Sequence, residues 1–281
     1  MGRLKIISSL VILAVPISYG FWTYYENTSG SCAVDVVPDG VATPSGGTLS
    51  RTASRAIAAY GGDSIWRHAT TVESTVTIGG ALFWIKGQRI PAHAIIRTDI
   101  KRPRVEINPI DAEGDVGILD GFSLTLKSRN GQILDERRDA RDHLRSQQLW
   151  TRWDRLDLLY FLGYAFWGYN SLPFQLTRSD IKWTELKDGV LQADYGLDLP
   201  VHSRVQRFYF DPQTALLKRN DYTAVAASPG ANAANVVLTH QKFNDVPYPS
   251  QRRVKMTPQR YGTCLPAPNM VTIDVEQWRI Y

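Results

Sequence analysis

The sequence predicts a mainly β protein of the α+β class, in which an antiparallel meander forms a half-open β-barrel covered by a long central helix and a short N-terminal helix. Many short segments alternate apolar and polar residues, which is the period of a strand with one buried face. Short turns rich in Gly, Asn, Asp and Pro separate them, so sequence neighbours should pair antiparallel. One aromatic segment departs from this alternation. No regular alternation of strands and helices is present, which argues against a Rossmann fold or a TIM barrel.

The predicted strands lie on both sides of that aromatic segment. Those before it are residues 72–78, 81–87, 92–98, 104–110, 122–128 and 132–134; those after it are residues 181–187, 190–195, 201–210, 215–224, 235–243, 250–257 and 271–278. In the first strand Val72, Ser74, Val76 and Ile78 share one face. A short helix is expected at residues 49–60, where apolar residues recur at a spacing of three and four, and the following Gly-Gly pair ends it.

The central helix is predicted over residues 139–168. Nine of the chain's 30 aromatic residues lie between positions 150 and 174. The helix should be amphipathic over residues 139–157 and apolar on every side over 158–167, so the second part must be buried. That part is too short to span a bilayer. Three roles stay open: a core helix filling the barrel mouth, a lid lining a cavity for a hydrophobic ligand, and insertion into a membrane interface.

The N-terminus predicts export. Arg3 and Lys5 precede an apolar run, which is typical of a signal peptide or signal anchor, and we assign it residues 1–24. Residues 25–48, rich in Gly, Ser, Pro and Thr, should form a flexible linker. Residues 49–281 should then form a single half-barrel domain. The protein would be secreted, or anchored in the membrane on the extracytoplasmic side by its N-terminal segment.

The two cysteines, Cys32 and Cys264, are expected to form a disulfide in an exported chain. Small residues before Cys32 leave lipidation of this cysteine as an alternative. No HExxH motif and no pair of histidines four residues apart occurs, so we expect no metal site. The formal net charge of +5 suits a mild attraction to anionic surfaces. No nucleic-acid-binding motif accompanies it, and we expect no nucleic-acid partner.

Catalytic motifs are equally absent: the sequence has no GxSxG elbow and no P-loop, and we expect no catalytic residue and no cofactor. His202 and Arg204 should share a face of the strand at residues 201–210 and bind a carboxylate or phosphate headgroup, unless that face is solvated. In residues 251–255, Arg252 and Val254 should share one face of a strand. Gln251, Arg253 and Lys255 fall on the other face and offer a similar choice between a headgroup and a solvated, charged edge strand.

Several short motifs carry a family resemblance. They are Tyr60-Gly61-Gly62-Asp63 with Trp66, Tyr160-Phe161-Leu162-Gly163-Tyr164-Ala165 with Trp167, Pro173-Phe174, His202-Ser203-Arg204, Phe208-Tyr209-Phe210-Asp211 and Asp221-Tyr222. In pattern and order, roughly residues 50 to 280 resemble the bacterial lipoprotein-carrier superfamily of LolA/LolB-like proteins. The resemblance implies an unclosed β-barrel whose concave face is covered by helices and holds acyl chains. The carriers are usually shorter than this chain, and the arginine that gates their lid cannot be placed in this sequence, so lipoprotein trafficking does not carry over.

The function predicted from these observations is an exported protein that binds or carries a hydrophobic, lipid-like ligand under an aromatic helical lid. The residues expected to line the lid and the cavity are Trp153, Tyr160, Tyr164, Trp167, Phe174, His202 and Arg204. One alternative is an enzyme acting on an apolar substrate in the same cavity, with acid and base groups drawn from Asp154, Asp157, His202 and Tyr209. The other is a structural or interaction module without a ligand.

Overall fold

A computed structural model describes residue 32, residues 49–144 and residues 147–281. Within these residues the chain forms a single antiparallel sheet of thirteen strands, whose order is β6-β5-β4-β3-β2-β1-β13-β12-β11-β10-β9-β8-β7. The sheet is not closed, because β6 and β7 are its two edges. The predicted fold class is thereby confirmed. The predictions for residues 1–24 and 25–48 lie outside the described residues, apart from Cys32.

The elements have the following bounds. The helices are α1 (Arg51–Ala59), α2 (Asp63–His68), α3 (Ala81–Ile85), α4 (Arg141–Leu144), α5 (Arg155–Asn170) and α6 (Leu172–Gln175). The strands are β1 (Thr71–Gly79), β2 (Ala94–Asp99), β3 (Arg104–Asn108), β4 (Val116–Asp120), β5 (Ser123–Lys127), β6 (Ile133–Arg137), β7 (Ile181–Lys187), β8 (Val190–Tyr195), β9 (Val205–Phe210), β10 (Leu217–Thr223), β11 (Asn232–Phe243), β12 (Val246–Met256) and β13 (Val271–Ile280).

The chain path explains how a helix comes to cover the open side of the sheet. The chain builds the sheet outward from β1 to the edge strand β6, then passes through α4, α5 and α6, and resumes at the opposite edge with β7. The strands from β7 onward return to the middle, where β13 pairs with β1. The helical segment therefore connects the two unpaired edges. In β1 the burial alternates as predicted, with Val72, Ser74, Val76 and Ile78 facing inward.

Helix α5 begins where its first turn is closed by reciprocal hydrogen bonds. The Asp154 carboxylate accepts from the Asp157 backbone N–H at 2.7 Å, and the Asp157 carboxylate accepts from the Asp154 N–H at 3.1 Å. Such a capping box satisfies two backbone donors that the helix itself cannot pair. Beyond it every residue from Leu156 to Trp167 is buried, and α5 packs against β2 to β6. Among residues 49–144 and 147–281, no helix is long and apolar enough to cross a membrane.

Three predicted elements were wrong. The helix expected over residues 139–168 is two helices, because Asp154 caps a new helix and residues 147–154 run between them without helical structure. The strand expected at 81–87 is helix α3; Gly80, at φ 120°, turns the chain, and the N–H groups of Ala81 and Leu82 donate to the carbonyls of residues 269 and 270. The strand expected at 201–210 begins only at Val205, so His202 and Arg204 lie in the loop before it.

Strand β4, which was not predicted, contacts α5 through two glycines. Gly163 of α5 lies against Leu119, such that a Cβ added at position 163 would be 2.9 Å from the Leu119 Cβ. Gly117 of β4 lies against Leu159 in the same way, with the corresponding distance to the Leu159 Cδ1 at 2.6 Å. Because a glycine on each element faces a leucine on the other, the helix backbone approaches the sheet more closely than two side chains would permit.

This packing predicts opposite effects for two glycine-to-alanine changes within α5. Gly163→Ala should lower the free energy of unfolding by about 1–3 kcal/mol, because the new methyl group overlaps Leu119. Gly168→Ala should raise it by up to about 1 kcal/mol, because that Cβ meets nothing within 4 Å and alanine favours the helix. Urea denaturation followed by circular dichroism measures both. Equal effects of the two changes would contradict the close approach.

Candidate ligand site

The described residues nearly fill the space between α5 and the concave face of the sheet and leave small cavities there. The first cavity, about 30 Å³, lies between the last turn of α5 and the aromatic residues of α1, α2, β12 and β13. The second, about 20 Å³, lies between α5 and strands β8 to β10, and the third, about 30 Å³, lies under the first half of α5. Each has room for one or two water molecules. An acyl-sized ligand therefore requires α5 to move.

A stack of aromatic rings forms one wall of the second cavity. The His202 imidazole lies flat on Tyr222, with ring centroids 3.6 Å apart and planes at 4°. The Tyr169 hydroxyl is 3.2 Å from His202 Nε2 and 3.2 Å from the Tyr222 hydroxyl. The Tyr164 ring meets His202 edge-on, at 4.7 Å. Burial lowers the pKa of His202 to about 3, so the ring is neutral at pH 7, and its Nδ1 has no hydrogen-bond partner.

Arg252 of β12 extends into the same region and lines both the first and the second cavity. Its guanidinium lies over the Tyr169 ring, 4.5 Å from the centroid, and its side chain is almost completely buried. Among the described residues it has no ion pair, and its Nη1 has no hydrogen-bond partner. Burial lowers the pKa of Arg252, and the groups that oppose this are the tyrosines Tyr169, Tyr60 and Tyr222 rather than a carboxylate.

The sequence did not single out Arg252, because it favoured the other face of this strand. The edge-strand interpretation of residues 251–255 was wrong, since β12 lies between β11 and β13. Arg252 and Val254 were expected to share a face, and both point inward. Because valine is normally buried, the face that Arg252 shares with Val254 was the signal that could have identified Arg252 as a buried residue.

The predicted lining residues are spread more widely than expected. Tyr164 and His202 line the second cavity, but the other five predicted residues line none of the three cavities. Tyr160 and Trp167 are buried within α5, and Trp153 precedes the helix and packs 5.0 Å from the Phe161 ring. Phe174 packs against the buried cluster around Tyr60 and Trp66.

Arg204 was expected to share a face with His202, and the structure separates the two. The Arg204 guanidinium donates to the Tyr195 carbonyl at 3.3 Å and lies 3.5 Å from the Asp194 carboxylate, with 60% of the side chain exposed. His202 points into the core, whereas Arg204 faces solvent, because both lie in the irregular loop before β9 rather than in a strand. Leu172, Asn220 and Arg252 are lining residues that the sequence had not indicated.

The four candidate acid and base groups do not come together. Asp154 and Asp157 lie at the start of α5, where Arg137 donates to both carboxylates at 2.6 and 2.9 Å. His202 lies in the core beside the second cavity. Tyr209 packs in a separate cluster with Leu186 and Val190, next to Arg219. The enzyme alternative required at least two of these groups in one pocket.

One group of possible metal ligands is present among the described residues: His143, Asp154 and Asp157 offer atoms within 4.8 Å of one another. Arg137 and His143 already donate to the Asp157 carboxylate, at 2.9 and 2.7 Å. The Arg137 guanidinium supplies the positive charge that these carboxylates need, so the group serves as the polar anchor of the α5 N-terminus.

The two cysteines, Cys32 and Cys264, are joined in a disulfide. Buried Arg219 fixes this connection: it donates to the Cys32 carbonyl at 2.7 Å and to the Gly262 carbonyl at 2.6 Å, and it is paired with Asp221 at 2.8 Å. A sulfur held in a disulfide is not available for attachment of a lipid, so the alternative of a lipidated Cys32 has no support.

Several solved structures are similar to this chain at low sequence identity. A LolA superfamily protein from Nitrosomonas europaea matches with 12% identity and a TM-score of 0.46, over 82% of this chain and 94% of that chain. A putative outer membrane lipoprotein-sorting protein domain from Vibrio parahaemolyticus matches with 12% identity and a TM-score of 0.44, over 82% and 90%. A DUF1329 family protein from Desulfovibrio piger matches with 11% identity and a TM-score of 0.38, over 82% and 92%.

No protein-family model and no curated protein matches the chain. The superfamily that the sequence resembles is also the one named for the Nitrosomonas europaea structure.

The buried state of His202 predicts a pH dependence of stability. Its pKa is about 3 in the folded protein and near 6.5 in the unfolded chain, so only the unfolded chain gains this proton as the pH falls below 6.5. The contribution is complete above pH 6.5 and is lost on acidification. We expect His202 to account for about 2 kcal/mol of stability lost between pH 7 and pH 5.

Urea denaturation at both pH values tests this expectation. The loss should be smaller in His202→Phe, whose ring can still stack on Tyr222, and unchanged in His68→Gln, because the side chain of His68 is exposed. The same pH dependence in wild type and His202→Phe would contradict the prediction, because it would show that folding does not lower the pKa of His202.

Proposed function

We propose that the protein is an exported hydrophobic-ligand binding or carrier protein, in which α5 is a lid over the concave face of the sheet. One observation carries the proposal: three buried atoms that can form hydrogen bonds, and lack a partner, belong to residues lining a single cavity. They are the Tyr164 hydroxyl, His202 Nδ1 and Arg252 Nη1. A core that is complete in itself pairs its buried polar atoms, because each unpaired one costs about 1–3 kcal/mol.

The distribution of contacts around α5 supports a lid that opens on one side. The helix packs against β2 to β6, where Gly117 and Gly163 bring the backbones close together. The three unpaired atoms lie on the other side, between α5 and the half of the sheet that contains β9, β10 and β12. The close backbone contacts of α5 are with β2 to β6, so the interface with the other half of the sheet is the one expected to separate. Opening there would join the first and second cavities, since Leu172 and Arg252 line both.

The chemistry of this lining suits a largely apolar ligand. Aromatic and aliphatic side chains surround the few polar atoms, and burial of apolar ligand surface contributes about 25 cal/mol per Å². The disulfide between Cys32 and Cys264 is typical of an oxidising, extracytoplasmic compartment. In this proposal residues 1–24 export or anchor the chain, so that the ligand is met outside the cytoplasm.

A cavity-filling change tests the proposal. Leu172→Trp should lower the amount of co-purified lipid at least about tenfold. Leu172 lines both the first and the second cavity, and the larger tryptophan ring would fill space in them. Leu197→Trp is the matched control: Leu197 is 68% exposed, and lipid content should not change. The measurement is mass spectrometry of lipid extracted from full-length protein made in its native host.

Circular dichroism would show whether Leu172→Trp folds, and Leu172→Phe is the smaller replacement if it does not. An absence of lipid from the wild-type protein, or equal lipid in all variants, would sink the proposal.

The unpaired hydroxyl of Tyr164 predicts opposite effects on stability and binding. Tyr164→Phe removes a buried polar atom without a partner, so the free energy of unfolding should rise by about 1 kcal/mol. If the hydroxyl serves the ligand, the same change should weaken binding severalfold. Thermal denaturation and lipid content of the same preparation measure the two effects, and a destabilised Tyr164→Phe would show that the hydroxyl has a partner in the closed protein.

A further inference from the structure

The most unusual charge among the described residues is the guanidinium of Arg252. It lies on β12, where Val237 and Ile273 are its neighbours on the adjacent strands. The side chain points to the concave face, whereas the next residue, Arg253, points to the other face and pairs with Asp274 at 2.9 Å. Two consecutive arginines thus occupy opposite environments, one with a carboxylate and one without.

Another buried arginine, Arg219 on β10, shows the usual solution. Arg219 is as deeply buried as Arg252, and it has the Asp221 carboxylate beside it and backbone carbonyls in front of it. A buried charge without such partners is costly, and removing one partner of a buried pair typically destabilises a protein by several kcal/mol. Arg252 has only the ring of Tyr169 and the nearby tyrosines Tyr60 and Tyr222. Its missing partner is an anion.

We propose that the ligand carries an anionic headgroup, a carboxylate or a phosphate, and that Arg252 binds it while the apolar chain lies under α5. The inference rests on the proposed function and names the class of ligand. Arginine suits this role because its planar guanidinium offers several N–H donors to one oxyanion and stays protonated at neutral pH.

The other unpaired atoms at the site fit the same headgroup. The Tyr164 hydroxyl can donate to an oxyanion, and it lines the second cavity together with Arg252. His202 is neutral and lies beside Tyr164, so its Nδ1 can accept a hydrogen bond from a hydroxyl or a protonated oxygen of the same headgroup. Within residues 49–144 and 147–281, no carboxylate lines either cavity, so none of these residues would repel an anion there.

The closed lid explains how the charge is tolerated without ligand. The last turn of α5 contributes Tyr169 and Asn170 to the first cavity, next to Arg252. The carbonyl end of a helix carries partial negative charge and favours a nearby cation, and the Tyr169 ring adds a cation–π contact. Movement of α5 removes both, and the headgroup would then take their place.

The test compares three ligands with the same sixteen-carbon chain: hexadecanoate, hexadecyl phosphate and hexadecanol. Their affinities for the full-length protein are measured by equilibrium dialysis with radiolabelled ligand. Wild type should bind one or both anions about tenfold or more tightly than the alcohol. A preference for the phosphate assigns a phosphate headgroup, and a preference for the acid assigns a carboxylate.

The variants are Arg252→Met, which keeps the apolar stem of the side chain, Arg252→Lys, and the matched control Arg253→Met on the opposite face. Arg252→Met should lose the preference for anions, bind hexadecanol about as well as wild type, and melt at the same or a higher temperature. Arg252→Lys should keep part of the preference, and Arg253→Met should keep all of it.

The outcomes separate this inference from the proposed function. Wild type that binds all three ligands equally, or Arg252→Met that keeps the preference for anions, overturns the anionic headgroup and leaves the binding function standing. Failure of wild type to bind any of the three overturns both. Arg252→Met that is less stable than wild type would show that the guanidinium is already satisfied in the closed protein, and would also overturn the inference.

Discussion

The structure depends on one constraint: helix α5 has no face that can meet water. Every residue from Leu156 to Trp167 is buried, so the sheet has to curve around the helix instead of lying flat beneath it. Solvent reaches α5 only at its two ends: residues 168–170 are half-buried, and at the first turn the capping box and Arg137 hold the two carboxylates. The apolar part of the helix thus fixes the shape of the sheet, and its polar start fixes where the helix enters.

The same constraint explains why the sheet stays open. A closed barrel of this chain would have to pair β6 with β7, yet the segment between them is the helix that fills the interior. The chain leaves one edge, crosses the concave face as α5 and joins the other edge. Lys127, Glu136 and Lys182 are among the charged residues near these edges, where charge discourages pairing with another chain.

Local patterns in the sequence predicted most of the sheet but not the interior of the site. Strands β7 and β8 were predicted to the residue, and the turn Lys187-Asp188-Gly189 fixes where β7 ends and β8 begins. Helix α3 was missed because the contacts that hold its first turn are distant in sequence. Gly80 turns the chain, and the backbone N–H groups of Ala81 and Leu82 then donate to the carbonyls of residues 269 and 270. No local pattern records a contact between residues so far apart.

The residues of the site show the same limit in a sharper form. Alternation in β12 predicted that Arg252 and Val254 share a face, but not that this face is the buried one, since an arginine normally argues for solvent. His202 was expected in a strand beside Arg204, but it lies in a loop that turns the two apart. Aromatic richness correctly marked α5 as the covering helix. The polar residues that decide the chemistry come from α5, from the loop before β9 and from β12, and only the three-dimensional structure brings them together.

The unpaired polar atoms under α5 and the tight glycine contacts on its other side have one consistent interpretation. If α5 were only a core element, apolar residues in place of Tyr164, His202 and Arg252 would make the protein more stable, since each of the three carries an unpaired atom that costs stability. The chain keeps them on the side of α5 that faces β9 to β12, and keeps Gly117 and Gly163 on the side that faces β4. One side is therefore built for permanent contact. The other retains the buried polar atoms without a partner on which the proposed ligand site rests.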